Sequence, residues 1–182
     1  MFENQLLISM PLVNETLFDK VVIYVCEHNK YGAVGLIINC PTSYNLKFIF
    51  KQLNIDANAP EIYAEPILFG GPIAPDRGFV IHRALDGFKP SVPTGNDIYV
   101  STSQDILKLI AKGDGPKDHL ITLGYAGWGA GQLDEEIYQN SWLTCAANEK
   151  ILYDLPFKDR WQAAINSLGF DIYNLVLSSS HH

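Results

Sequence analysis

The sequence contains little cysteine and no long apolar run, and each absence excludes a class of protein. Its three cysteines, Cys26, Cys40 and Cys145, form no CxxC pair, so we expect reduced, buried thiols and no disulfide framework. No stretch approaches the ~20 apolar residues that span a membrane, and residues 1–11 lack the basic and apolar regions of a secretory signal. We therefore expect a cytoplasmic protein with no membrane partner.

Basic residues are scarce as well. Thirteen Lys and Arg residues stand against twenty Asp and Glu residues, which gives a formal net charge of -7 at pH 7, and the sequence has no Lys/Arg-rich run. Nucleic-acid affinity depends on clustered cations that contact phosphates. Direct nucleic-acid binding is therefore not expected, and the expected partner is a protein or a small molecule.

The sequence signatures of common catalytic and cofactor sites are missing. There is no P-loop lysine motif, no GxSxG, no HExxH, no calcium-loop pattern and no kinase signature. A metal site needs three or four ligands, whereas His82 and His119 lie far along the chain from Cys26 and His28. We predict no metal and no cofactor, and assign no catalytic residue.

The composition is that of an ordinary globular protein, since 47% of the 182 residues are apolar and 18% are charged. The length predicts one domain over residues 1–182, with a polar tail from about residue 171. Apolar periodicity predicts seven or so strands and about four helices. The predicted strands are 5–9, 21–28, 33–39, one that begins at 67, 78–83, 97–101, 119–126 and 142–147, and the predicted helices are 46–54, 101–113, 132–140 and 157–169.

These elements predict an α+β fold: a mixed, largely antiparallel sheet, which could be curled, with about four helices packed on it. Residues 21–28 are apolar on both alternating faces, so this strand should lie within the sheet. Thr42 and Ser43 are the expected caps of the first helix, and Ser101 with Gln104 is the expected capping box of the second. Residues 84–95 are expected to be an exposed connection.

The stretch GYAGWGAGQLDEE at residues 124–136 combines four glycines with two aromatic residues and three carboxylates. It lacks both the lysine of a P-loop and the GxGxxG of a dinucleotide site. Asp134, Glu135 and Glu136 would occupy the first turn of a helix, where they complement the helix dipole and repel a phosphate. We therefore expect the glycines to provide backbone freedom around Trp128 and not a phosphate site.

FGGP at residues 69–72 is a second glycine break, which either ends a strand or approaches a ligand. His82 lies near the end of the strand GFVIHR, where it would line a pocket or make a structural hydrogen bond. Loops carried on a rigid sheet are where binding residues concentrate. The candidate pocket or partner surface therefore comprises Gly70, Gly71, Pro72, His82, Tyr125, Trp128, Gly129 and Gln132.

The tripeptide CEH places Cys26 and His28 two residues apart on a strand, and therefore on the same face. A thiol beside an imidazole is either a candidate reactive pair or half of a metal site. No third group that would orient the imidazole can be identified from the sequence. A buried cysteine followed by a histidine at the end of the strand is the structural alternative.

Several motifs in order carry a resemblance to a known family: LLISMP, VIYVCEHNKYGAVGLIIN, FGGP, GFVIHR, GYAGWGAGQLDEEI and NSWL. Together they resemble the AlgH/YqgE family of bacterial proteins, from about residue 3 to about residue 170. The resemblance implies a compact single α+β domain in the bacterial cytoplasm. It supplies no established catalytic residues.

Members of that family often carry the label of a transcriptional regulator. The label fits this chain poorly as a direct DNA reader, because the chain is acidic and has no recognisable helix-turn-helix. The favoured hypothesis is a binding or regulatory module that acts through a protein or small-molecule partner. The alternative is a small enzyme that uses Cys26 or His82.

Overall fold

Ten strands form one sheet in the computed structural model, which describes residues 1–10, 20–89, 92–95 and 97–169, with only the backbone described for 92–95. The predicted polar tail lies outside these residues. The strands are β1 Gln5–Ser9, β2 Val22–Asn29, β3 Gly32–Ile37, β4 Pro41–Asn45, β5 Pro66–Phe69, β6 Ile73–Arg83, β7 Val92–Gly95, β8 Ile98–Ser101, β9 His119–Gly129 and β10 Trp142–Ala146.

The sheet is open and mixed. Its main path runs β10-β1-β2-β3-β9-β6-β8-β7, while β4 pairs with β5 and β5 pairs with β9. The β5–β9 pair is parallel, and the other pairs formed by the described strands are antiparallel. The predicted α+β class with a largely antiparallel sheet is confirmed.

The described residues include four helices of at least seven residues: α1 Leu46–Leu53, α3 Gln104–Lys112, α4 Gln132–Tyr138 and α5 Arg160–Asn166. Shorter elements are α2 Pro60–Tyr63, a π-helical turn Lys150–Asp154 and a 3-10 turn Phe157–Asp159. Within the described residues, no helix is both long and apolar enough to cross a membrane.

Helices cover both faces of the sheet, and β2 shows why its sequence is apolar throughout. Tyr24 packs in a first core cluster together with Trp161 of α5. Ile23 and Val25 point the other way, into a cluster that contains Leu133 of α4. Alternate residues of one strand therefore enter two different cores, as predicted for a strand buried on both sides. A further cluster joins α1 and α3 to β5, β6 and β9.

Strand β9 extends further than its predicted end at residue 126. Residues 119–123 and Tyr125 pair with β6, and residues 126–129 pair with β3, so GYAGWG continues the strand. The chain changes partners around Gly124, which has a positive φ of 77°. The predicted strand therefore ends three residues too early, since glycine weakens the strand signal in the sequence.

Two further strands lie where the sequence predicts turns and connections. Residues 41–45 form β4, so Thr42 and Ser43 are strand residues and Asn45 is the N-cap of α1. Residues 92–95 form β7 against β8, inside the predicted connection 84–95. Proline has no backbone N–H to donate, but one side of an edge strand is unpaired and requires no donor. These two segments can therefore form strands although they contain proline.

The predicted capping box at the start of α3 does not form. Ser101 is the last residue of β8, and Ser103 is the N-cap of α3 with no side-chain capping bond. The hydroxyl of Ser101 is instead within hydrogen-bond distance of His82. Ser101 therefore interacts with the neighbouring strand β6 and does not cap α3.

Candidate functional site

The FGGP and GYAGW segments meet at a backbone crossing. The N–H of Gly70 donates to the carbonyl of Leu123 at 2.8 Å, and the carbonyl of Gly70 accepts from the N–H of Ile37 at 2.9 Å. The crossing therefore ties β5 to both β3 and β9. Both backbone polar groups of Gly70 are therefore engaged in hydrogen bonds between strands.

The glycines at this crossing have a steric role. A Cβ atom on Gly71 would overlap the backbone between Tyr125 and Ala126, and one on Gly124 would overlap the carbonyl of Gly71. Both residues also have a positive φ, 154° for Gly71 and 77° for Gly124, which side chains disfavour. Gly70 and Gly71 thus allow two backbones to touch, and this contact accounts for them without a ligand.

Trp128 is held by a carboxylate of the following helix. Oε1 of Glu136 accepts the indole N–H of Trp128 at 3.3 Å and that of Trp142 at 3.1 Å, and the two rings pack edge to face at 6.2 Å. Nearby, Oε1 of Gln132 accepts the backbone N–H of Gly129 at 2.9 Å. The side chains of Gln132 and Glu136, in the polar part of GYAGWGAGQLDEE, therefore form hydrogen bonds within the protein.

Tyr125, Trp128 and Gly129 line a shallow groove of about 460 Å³. Tyr31 and Ile73 stand at the same groove and are 76% and 41% exposed. The structure therefore brings together three members of the predicted surface. The other five members, Gly70, Gly71, Pro72, His82 and Gln132, do not line this groove.

Cys26 and His28 do not share a face, because a β-bulge lies between Val25 and Glu27. Cys26 packs in the first core cluster, where burial raises the pKa of its thiol. His28 accepts from the N–H of Phe2 at 3.1 Å and lies 3.2 Å from a carboxylate oxygen of Asp134 in α4. Each member of the predicted reactive pair thus has separate partners.

A second, larger groove lies between α1, β6 and the beginning of α3. Its volume is about 590 Å³, and apolar side chains from several elements form its walls. Tyr44 and Phe48 stand at it, stacked with ring centroids 4.4 Å apart; they are 47% and 40% exposed. Asp76 contributes a carboxylate. The groove combines exposed aromatic surface with few charges.

Ser101 of this groove forms a pair with a buried histidine, His82, behind the groove wall. Nε2 of His82 lies 2.7 Å from Oγ of Ser101, and Nδ1 lies 2.7 Å from the carbonyl oxygen of Arg83. Because a carbonyl only accepts, Nδ1 carries the proton and Nε2 accepts from the hydroxyl. Burial lowers the pKa of His82, partly opposed by the bond to Arg83. His82 is therefore neutral at neutral pH.

Ser101 lines the groove and His82 does not, so the predicted histidine reaches this site only through its partner. Sequence reasoning missed Ser101, Tyr44 and Phe48. A serine ahead of a helix is usually a cap, so Ser101 gave no distinguishing signal. Tyr44 lies on β4 and Phe48 on α1, so helical spacing gave no signal for their pairing.

The described residues hold no group of three or more His, Cys, Asp or Glu side chains placed to bind a metal ion. The site is instead a groove in a small α+β domain with an open mixed sheet. The model of the AlgH-like family matches residues 6–173. The chain belongs to this family.

Relatives match along nearly the whole chain. A UPF0301 protein of Legionella pneumophila (strain Lens) is 46% identical over 178 residues, which cover 98% of this chain and 95% of the relative. A UPF0301 protein of Xanthomonas campestris pv. campestris (strain B100) is 42% identical with the same coverage. The family resemblance seen in the sequence motifs is thereby confirmed.

Two solved structures share the fold. The solution structure of the AlgH protein from Pseudomonas aeruginosa matches with a TM-score of 0.76 and 44% identity, covering 94% of this chain and 91% of that one. A crystal structure of a Corynebacterium diphtheriae protein matches with a TM-score of 0.71 at 16% identity, covering 92% and 87%. The second likeness concerns the fold alone.

Proposed function

We propose that this protein is a binding module whose site is the groove between α1, β6 and α3. Its ligand is a small molecule with an apolar, aromatic body. The observation that carries the proposal is the groove itself, about 590 Å³ with Tyr44 and Phe48 exposed at it. Pockets for small molecules typically measure ~300–1,000 Å³ and are mostly apolar with a few polar groups.

The stacked pair favours a flat ligand. Tyr44 and Phe48 are held parallel to within 29°, so an added ring can extend the stack with little loss of side-chain freedom. Offset or edge-to-face aromatic contacts contribute about 0.5–1.5 kcal/mol beyond the burial of their area. Burial of the exposed ring surface adds a further favourable term.

Charge restricts the ligand class. Asp76 lines the groove and the whole chain carries a formal charge of -7, so an anionic ligand would meet repulsion. A neutral aromatic compound fits these conditions. They also disfavour nucleic acid as the direct partner, so a regulatory role would proceed through a bound small molecule or a protein.

The alternative of an enzyme based on Cys26 has less support. Its thiol is buried and its pKa is raised by burial, so the reactive thiolate is disfavoured. His28, the base suggested by the sequence, is within hydrogen-bond distance of Asp134 and lies beyond the bulge. The binding role therefore remains the first proposal.

Amide chemical shifts measured during titration with a set of neutral aromatic compounds test the groove. We expect shifts concentrated in α1, α3 and β6, and a dissociation constant at least tenfold weaker in Phe48→Ala. Phe69→Ala is the matched control, because Phe69 is also 40% exposed but does not line the groove. Shifts that cluster elsewhere, or equal effects of the two variants, would reject the proposal.

A further inference from the structure

We propose that Ser101 and His82 form a nucleophile–base pair that cleaves neutral carboxylic esters whose apolar acyl part lies in the groove of Tyr44 and Phe48. This inference rests on the proposed function for the binding of its substrate. It adds a reaction to that site and assigns the residues that perform it.

The geometry of the pair is that of an activated serine. The Ser101 hydroxyl donates to Nε2 of His82 at 2.7 Å, and the other ring nitrogen is fixed by the Arg83 carbonyl at 2.7 Å. A nucleophile within hydrogen-bond distance of a base, with the base oriented by a third group, is the signature of such catalysis. Here a backbone carbonyl is the orienting group.

The position of Ser101 in the fold supports the same role. It ends β8, and α3 begins three residues later at Gln104. A serine at a strand-to-helix turn is also the arrangement of hydrolase nucleophiles, although the GxSxG sequence is absent. The N-cap of α3, Ser103, makes no side-chain capping bond, so the N–H groups of this first turn are not satisfied by that side chain.

The reaction balances with the groups present and water. Oγ of Ser101 attacks the ester carbonyl carbon while its proton passes to Nε2 of His82. The tetrahedral intermediate collapses, the bond to the alcohol oxygen breaks, and His82 returns the proton to the leaving alcohol. Water then attacks the acyl-serine with His82 as base, which releases the carboxylic acid and restores the hydroxyl.

The burial of the pair defines how the site works. Ser101 has 0% and His82 has 1% of its surface exposed, although Ser101 belongs to the lining of the groove. A substrate must therefore displace side chains that cover the hydroxyl. We expect slow turnover and a preference for esters with good leaving groups, such as p-nitrophenyl esters.

A fluorophosphonate probe with an apolar chain tests the nucleophile directly. Attack by Oγ of Ser101 on phosphorus forms the O–P bond, expels fluoride and leaves the proton on His82. We expect mass spectrometry to locate the adduct on Ser101 in the wild-type protein. Its absence from Ser101 after prolonged incubation would overturn the inference.

Hydrolysis of p-nitrophenyl benzoate, whose acyl part is flat and aromatic, provides the second measurement. Ser101→Ala should lower kcat/KM at least 100-fold, whereas Ser141→Ala, at an exposed serine outside the lining of the groove, should keep the wild-type rate. In the wild type the rate should fall in acid with a midpoint below 6.5, as His82 becomes protonated. Equal rates for the wild type and a folded Ser101→Ala variant would exclude this nucleophile, and the probe experiment decides the question if that variant does not fold.

The experiments distinguish a failure of ligand binding from a failure of ester cleavage. The non-cleavable amide of the same acid, followed by amide chemical shifts, reports binding alone. Shifts around the groove without an adduct on Ser101 would overturn the catalytic inference and leave the binding function standing. Loss of both would remove the proposed function as well.

Discussion

Individual glycines in this protein differ in why a side chain is disfavoured at their positions. Gly124 and Gly131 both have a positive φ, 77° and 73°, and both belong to the stretch GYAGWGAGQLDEE. A Cβ on Gly124 would overlap the carbonyl of Gly71, whereas nothing lies within 4 Å of the same atom on Gly131. The first glycine therefore meets a steric and a conformational requirement, and the second only a conformational one.

Alanine at the two positions separates these requirements. Gly131→Ala should cost about 1–2 kcal/mol of the free energy of unfolding, the usual cost of a left-handed conformation with a side chain. Gly124→Ala should cost that amount plus about 1–3 kcal/mol for overpacking, because backbone blocks its Cβ. Urea unfolding of both variants measures the difference, and equal losses would mean that the backbone crossing relaxes freely.

At the scale of elements, α4 is attached to the sheet by polar bonds as much as by its apolar face. Leu133 is its buried apolar anchor. Glu136 accepts from Trp128 of β9 and from Trp142 of β10, so one carboxylate connects three elements. Removal of the Glu136 carboxylate would leave the two partly buried indole N–H groups without their hydrogen-bond acceptor.

Substitution of Glu136 tests this connection. Glu136→Ala should lower the free energy of unfolding by about 2–4 kcal/mol, since each buried donor left unpaired costs about 1–3 kcal/mol. Glu136→Gln retains a carbonyl oxygen and should lose less than half as much. Denaturant unfolding followed by tryptophan fluorescence gives both values, with Glu135→Ala on the exposed side of α4 as the control. A Glu136→Ala loss no larger than that of the control would contradict the assigned role.

Elements with strong periodicity were predictable from the sequence, and glycine- or proline-containing strands were not. The helix around Ile106 and Ile110 and the strand β2 follow their apolar patterns closely. The predicted strand that contains GYA ends at residue 126 and leaves out residues 127–129, because glycines usually indicate turns. Pairing with β3 outweighs that local preference, and pairing partners distant along the chain are not visible in local sequence.

At the scale of the whole molecule, the candidate site exists only because distant segments pair. His82 lies on β6 and Ser101 on β8, and the antiparallel register of these strands places them within reach of each other. Tyr44 and Phe48 arrive from a separate part of the chain. The sequence indicated His82 as a candidate, but neither its partner nor its groove could be derived without the strand order.

The pairing of β6 with β9 places His82 opposite His119, and the pKa values of the two histidines shift in opposite directions. Burial lowers the pKa of His82, and the neighbouring His119 lowers it further. Burial alone would also lower the pKa of His119, but hydrogen bonding and charge from Glu65 raise it overall. Asp118 adds to the increase at His119.

These shifts predict opposite contributions to the pH dependence of stability. A histidine whose pKa is lowered by folding binds fewer protons in the native state, so its contribution is lost as the pH falls below about 6.5. A histidine whose pKa is raised contributes fully below about 6.5 and loses that contribution as the pH rises through its folded pKa. In the wild type the two effects partly cancel.

Single substitutions should expose each effect, measured by urea unfolding between pH 5.5 and 8.5. The stability of the wild type relative to His82→Gln should decrease as the pH falls below 6.5, because the variant no longer has the group whose protonation favours the unfolded chain. Relative to His119→Gln it should decrease as the pH rises above 6.5. Because His119 contributes to the lowered pKa of His82, the double variant His82→Gln/His119→Gln is the control for their coupling. Parallel profiles for the two variants would show that the environments of the histidines are not opposed, and would also remove the basis for a neutral His82 beside Ser101.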